Sequence, residues 1–243
     1  MQRFMKAMAA IMLTVAAVCV VGCTKSDAPN NNGNNNGGNG GNSINGHEYV
    51  DLGLPSGNLW ATGNVGVTTT KGYGDYFAWG EIQTKSYYAW STYKYCKGDF
   101  NQLTKYCASS SYGYNGFTDT LTILQPGDDA AAIIWGSGWR MPTVVEWEEL
   151  YLNTTSTFTT RDNVKGRLFT ASNGQSLFLP LAGVRWQDNL DGVGLIGDYW
   201  SSFANASTAP YFAIDTGRYC AGIAYGNRSD GFSVRAVHSS CQD

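Results

Sequence analysis

The pattern of apolar and polar positions divides the chain into three stretches of different character. Residues 8–21 form one apolar run, preceded by Arg3 and Lys6. The run is too short for a spanning helix, which needs about 20 apolar residues. A basic start and a short apolar stretch read instead as a secretory signal. Residues 30–42 contain only Asn and Gly. A segment of that composition has nothing to bury, so it predicts a disordered tether. Beyond it the pattern changes to short apolar runs separated by Gly-marked turns at Leu52-Gly53, Pro55-Ser56-Gly57, Tyr73-Gly74, Gly136-Ser137-Gly138, Asn173-Gly174 and Asp191-Gly192. Residues 48–52, 76–79, 176–179 and 232–235 have strand character. In the last of these, the alternation of Phe232, Val234 and Ala236 predicts one buried face.

Two segments read as helices. The first begins at Asp128-Asp129, whose carboxylates can accept free amide N–H groups, and continues through residues 130–134. The second follows Pro142. Thr143 and Glu146 have the spacing of a capping box, and Trp147, Leu150 and Tyr151 make an apolar stripe beside exposed Glu148 and Glu149. Two helices among many short strands predict an α+β domain with a loop-rich half.

The apolar run ends in Val20-Val21-Gly22-Cys23. This resembles a lipobox, where a lipoprotein signal peptidase cuts before a diacylated, palmitate-bearing cysteine. The organisation expected is a signal peptide at 1–22, lipidated Cys23 with its tether at 23–45, and one domain at 46–243. Such a chain is held to the membrane by its lipid anchor in the cell envelope, at the outer membrane and exposed on the surface. Cutting before Cys23 removes Arg3 and Lys6 and leaves 14 basic against 19 acidic side chains, a net charge near −5. That balance argues against nucleic acid as a partner, which calls for a basic face.

The quoted runs carry a further resemblance. HEYVDLGLPSGNLWAT at 47–62, GDYFAWGE at 74–81, DDAAAIIWGSGWRMPTVVEWEEL at 128–150, LFLPLAGVR at 177–185, DYWSS at 198–202 and GFSVRAV at 231–237 resemble the Fibrobacter succinogenes major paralogous domain, common in Bacteroidetes lipoproteins. WRMPTVVEWEEL and the closing GFSVR are also similar to the formylglycine-generating-enzyme branch of the C-type lectin fold. The resemblance implies a C-type-lectin-like domain with two helices, small antiparallel sheets and long loops on one face. It implies ligand recognition just before the closing strand, as in the variable proteins of diversity-generating retroelements.

Catalysis is not expected. The related enzymes hold copper with closely spaced cysteines near the C-terminus, whereas Cys220 and Cys241 lie 21 positions apart. His47 and His238 read as surface residues at the domain's edges, and no catalytic or metal residues are assigned. Calcium is the one cofactor with any footing. Gln125-Pro126-Gly127-Asp128 approaches a sugar-binding motif but has Gly where a carboxylate is needed. The oxygen-rich 188–192 could also be a plain turn. Cys96, Cys107, Cys220 and Cys241 allow three pairings. Cys96–Cys107 is the expected disulfide, worth ~2–3 kcal/mol, with four reduced thiols as the alternative.

Residues 200–230 mix Tyr, Asn, Ser and Arg, the composition of adaptable binding loops. Arg218, Tyr219, Tyr225, Asn227 and Arg228 are the expected ligand contacts, while Tyr211 and Phe212 read as core. The glycines at 222, 226 and 231 suggest a loop that leaves the sheet before the closing strand. The function expected is non-catalytic recognition of a glycan or protein. The alternatives are a structural or assembly subunit of the envelope and, less favoured, a formylglycine-generating-type enzyme. Cys23→Ala is expected to abolish acylation and release the protein from membranes. Wild-type behaviour of that variant in detergent partitioning would overturn the anchor.

Overall fold

The computed structural model describes residues 42–67, 72–136, 138–217 and 221–239. Its strands are β1 (Ser43–Ile44), β2 (His47–Val50), β3 (Leu59–Ala61), β4 (Tyr76–Phe77), β5 (Trp139–Arg140), β6 (Thr154–Arg161), β7 (Val164–Ala171), β8 (Ser176–Pro180), β9 (Val184–Trp186), β10 (Asn189–Asp191), β11 (Ile196–Trp200), β12 (Thr208–Asp215), β13 (Ala221–Asn227), β14 (Phe232–Ser233) and β15 (Val237–His238). The helices are α1 (Ala130–Trp135) and α2 (Val144–Leu152). The fold is therefore α+β with strands dominant. One five-stranded sheet runs β1-β2-β3-β15-β5 and another β13-β12-β11-β14-β4, joined by a three-stranded β6-β7-β8 sheet and the β9-β10 hairpin. All pairings of named strands are antiparallel except β11 with β14, which is parallel.

Each Gly-marked turn carries a glycine with positive φ. Both helix starts also follow local chemistry. Thr143 and Glu146 form the reciprocal capping box of α2. At α1 the two acids divide their roles. Asp129 is the cap, accepting from the amides of Ala131 and Ala132. Asp128 turns away and takes hydrogen bonds from the hydroxyls of Tyr95 and Tyr106 and from Lys105. On α2, Trp147 and Leu150 are buried while Tyr151 is exposed, so the stripe is narrower than the sequence suggests.

β12 separates two apolar clusters. Tyr199 and Phe212 face α2, where Trp147 stacks on Phe212 with centroids 4.8 Å apart and planes at 4°. Trp200 faces the other way and stacks on Phe232 at 4.1 Å. Phe212 is fully buried, as expected, and Tyr211 is partly buried against the second cluster.

Three expectations change. The folded unit begins before residue 46: Ser43–Ile44 pair with β2, Asn42 O accepts from Tyr49, and Ile44 O accepts from the Trp139 indole. The segment at 231–238 is buried on both faces, including Ser233 and Arg235, because it passes from one sheet into the other. The histidines are not simply exposed. His47 stacks on Trp135 at 4.0 Å, and His238 is buried between β3 and β5. Among the described residues no helix is long and apolar enough to cross a membrane.

Trp147 also touches Trp60 and donates its indole N–H to Trp200 O at 3.2 Å. Trp147→Ala is expected to cost ~3–5 kcal/mol in urea denaturation. A cost under about 1 kcal/mol would mean that α2 does not anchor the β12 sheet.

Candidate functional site

The residues expected to meet a ligand do not form one loop. Cys23, Arg218, Tyr219, Cys220 and Cys241 lie outside the described residues. Residues 221–227 are not a loop but β13, paired with β12 from Thr208↔Asn227 to Ile214↔Ala221. Gly226 and Gly231 serve packing rather than turning. A Cβ on Gly226 would come within 2.9 Å of the Phe232 ring, and one on Gly231 within 2.6 Å of Tyr88. Tyr225 remains exposed, at 55 %, and Asn227 is exposed beside Asp230, to which its amide donates at 3.4 Å. Tyr225 and Tyr211 point to opposite faces, since they sit opposite Pro210 and Ala224 respectively.

Arg228 corrects the expectation most sharply, because it is completely buried. Its guanidinium donates to Tyr106 O at 3.0 Å and Lys105 O at 3.4 Å and lies over the rings of Trp79 and Tyr93. It is a structural clamp and no ligand can reach it. The Cys96–Cys107 disulfide is also absent: both are free thiols. Cys96 donates to Trp90 O, and Cys107 to Ser109 O. The intervening loop is closed without them, by the Cys96↔Leu103 bridge and by Asp119, whose carboxylate accepts from the amides of Tyr106 and Cys107.

A polar cleft of about 510 Å³ lies between residues 74–76, 84–88 and 185–188. Its floor is Tyr76 and Tyr88. The Tyr76 hydroxyl donates to Ala182 O and the Tyr88 hydroxyl to Tyr76 O, which fixes both rings. Burial pushes the Tyr76 phenol up to about 12, against the pull of Arg185. The Arg185 guanidinium stacks over the Tyr76 ring, 5.3 Å from its centroid. Among the described residues it makes no hydrogen bond or ion pair, so its fork of donors is unspent. Thr84, Ser86, Asp75 and Asp188 complete the polar lining, with Lys85 held back by Glu81 at 2.9 Å and Thr92 O at 3.1 Å. The main-chain pairs Tyr88↔Gln187 and Arg185↔Gly231 lock the cleft's walls to β14. Sequence reading missed this site because Gly74–Tyr76 and Arg185 lie in runs about a hundred residues apart, and nothing local to either shows that they meet.

The acids of the domain are unequal. Burial alone would raise Asp128, but hydrogen bonds from Lys105, Tyr95 and Tyr106 hold it down at about 2. Asp198 is pushed up to about 7 by burial, with nothing opposing it. Burial also raises Asp230 to about 6, against hydrogen bonds from Asn227 and Ser229. Among the described residues no group of three or more His, Cys, Asp or Glu side chains is placed to hold a metal ion. Comparison with family models, curated proteins and solved structures returns no match.

The Asp198 shift has a sign that can be measured. Its folded pKa, about 7, lies above the ordinary 3.8. The folded state therefore holds this proton more tightly, and the stability it contributes is full below the ordinary value and lost as pH rises through about 7. Asp198→Asn is expected to raise the melting temperature by several degrees at pH 8 and to change it little at pH 4. A lower melting temperature at pH 8 would mean that the ionised carboxylate holds the fold.

Proposed function

We propose that this protein is a lipid-anchored, surface-exposed recognition module of the cell envelope, with a non-catalytic C-type-lectin-like domain that binds a glycan. The observation that carries the reading is the cleft around Arg185. An unspent guanidinium, two hydroxyl-bearing side chains and two carboxylates converge over a fixed aromatic floor. A polyhydroxylated ligand needs such a mixture of donors and acceptors at fixed positions. The arrangement of strands leading into the closing segment is compatible with the C-type-lectin resemblance, and Gly22-Cys23 supports the anchor. The binding face accordingly moves from the β12–β13 hairpin to the cleft.

A second reading, an assembly subunit of the envelope, draws on a different surface. Ile123, Ile133, Ile134 and Phe203 are exposed, and Ile123 and Ile133 line a mainly apolar groove of about 790 Å³ beside α1. Exposed apolar surface of this kind suits protein contacts.

The two readings separate on an immobilised-glycan array probed with the solubilised protein. Wild type is expected to bind a restricted set of glycans. Arg185→Ala is expected to weaken that binding roughly tenfold or more, the scale of a lost charged hydrogen bond, with an unchanged thermal melt. Equal binding by wild type and Arg185→Ala would remove the cleft as the site.

A further inference from the structure

Five acidic side chains among the described residues are buried: Glu81, Asp128, Asp129, Glu146 and Asp198. Four are accounted for. Glu81 accepts from Lys85 and the Lys94 amide. Asp128 accepts from two tyrosines and Lys105. Asp129 caps α1 and accepts from the Met141 amide. Glu146 pairs with Arg140 and Asn58. Asp198 is the exception. It is more than nine-tenths buried, at 8 % exposure, and among the described residues it has neither hydrogen bond nor ion pair. A buried carboxylate without a partner is costly, and the fold gains nothing visible from keeping it there.

Sheet register shows what Asp198 faces. It lies opposite Ala213, and Trp200 lies opposite Tyr211, so Asp198 and Tyr211 are diagonal neighbours on one face. On β13, Gly222 and Ala224 continue that face. Neither covers the acid with a long side chain. Among the described residues, a Cβ built on Gly222 would meet no atom within 4 Å, which leaves space beside the Asp198–Ala213 row. Tyr211 is half-buried, its ring edge against Phe232 at 4.8 Å. Burial pushes the Tyr211 phenol up, and the charges of Asp198 and of Asp230, the latter in the turn that ends β13, add to it.

We propose that this face binds an organic cation, the ammonium or guanidinium group of a ligand, with Asp198 as counter-ion, the Tyr211 ring as an aromatic wall and Asp230 as a second acid. Carboxylates supply charge-assisted hydrogen bonds to such a group, and the ring face attracts it. Calcium calls for at least six oxygens, more than these groups bring together. The site is separate from the Arg185 cleft and does not depend on it. Raised by burial, Asp198 and Asp230 hold protons near neutrality. Cation binding therefore releases protons and tightens as pH rises toward 8. Tyr211, pushed up by burial to about 12, faces this region and does not titrate there.

The test is calorimetric titration of the full-length protein in detergent with Nα-acetyl-lysinamide, Nα-acetyl-argininamide and glucosamine, and with N-acetylglucosamine as the neutral control. The first two stand for a basic peptide and the third for an amino sugar. Saturable binding of at least one cation and none of the control is expected, and the lysine and arginine derivatives, which stay cationic throughout, are expected to bind tighter at pH 8 than at pH 5.5. Asp198→Asn is expected to weaken it roughly tenfold or more. Gly222→Val, which fills the open space and keeps both acids, is expected to block it as well. No saturable binding by any of the three cations, or undiminished binding in either variant, would overturn the proposal.

Discussion

Two buried arginines without a carboxylate between them hold the C-terminal part of the chain in place. Arg228 spends its guanidinium on the carbonyls of Lys105 and Tyr106 and on the faces of Trp79 and Tyr93. Arg235 donates to Asn64 Oδ1 at 2.9 Å and to Ala61 O at 3.0 Å, and burial lowers it to about 10. A guanidinium taken out of water must find acceptors at fixed positions, so each arginine dictates where a distant loop can lie. Main-chain bonds reinforce the same ties: Trp79 N donates to Arg228 O and Ala61 N to Ala236 O. Arg228 thus ties the end of the long segment at 79–107 to the turn after β13, where the buried rings of Trp79, Tyr93 and Tyr106 also hold it.

Main-chain bonds tie the first proposed site to the segment that follows Arg228. Arg185 is bonded through its main chain to Gly231, immediately after Asp230. The Asp198 face belongs to the sheet that contains β11, β12 and β13. Their chemistry is complementary: one has an unspent guanidinium, the other an unspent carboxylate. Had these two groups been neighbours they would have paired and left neither site.

Much of the local structure was legible from residues close in sequence. The capping box of Thr143 and Glu146, the positive-φ glycines, the burial of Trp147 and Phe212 and the α+β character all follow from propensity and spacing over a few residues. The cap and the turns are completed within a few residues, whereas the burial of Trp147 and Phe212 is completed by their stacking on each other. The β6–β7 hairpin was harder to read, because its Thr-rich strand is largely exposed and lacks an apolar alternation.

What the sequence could not settle was which face a polar residue meets. Arg228 in a Tyr/Asn/Arg stretch has the composition of a contact and the position of a core residue. Cys96 and Cys107 have a plausible loop spacing, yet each sulfur turns to a nearby carbonyl. Asp128 and Asp129 are adjacent and alike, but only Asp129 reaches the helix amides while Tyr95 and Tyr106 claim the other. Asp198 looks like an ordinary strand residue until the register shows that nothing lies opposite it except Ala213. The sequence determined where the chain turns and caps, because those energies are local. Tertiary structure alone decided which charges were spent and which were left for a ligand, because a partner for a buried charge comes from whichever distant segment the packing brings against it.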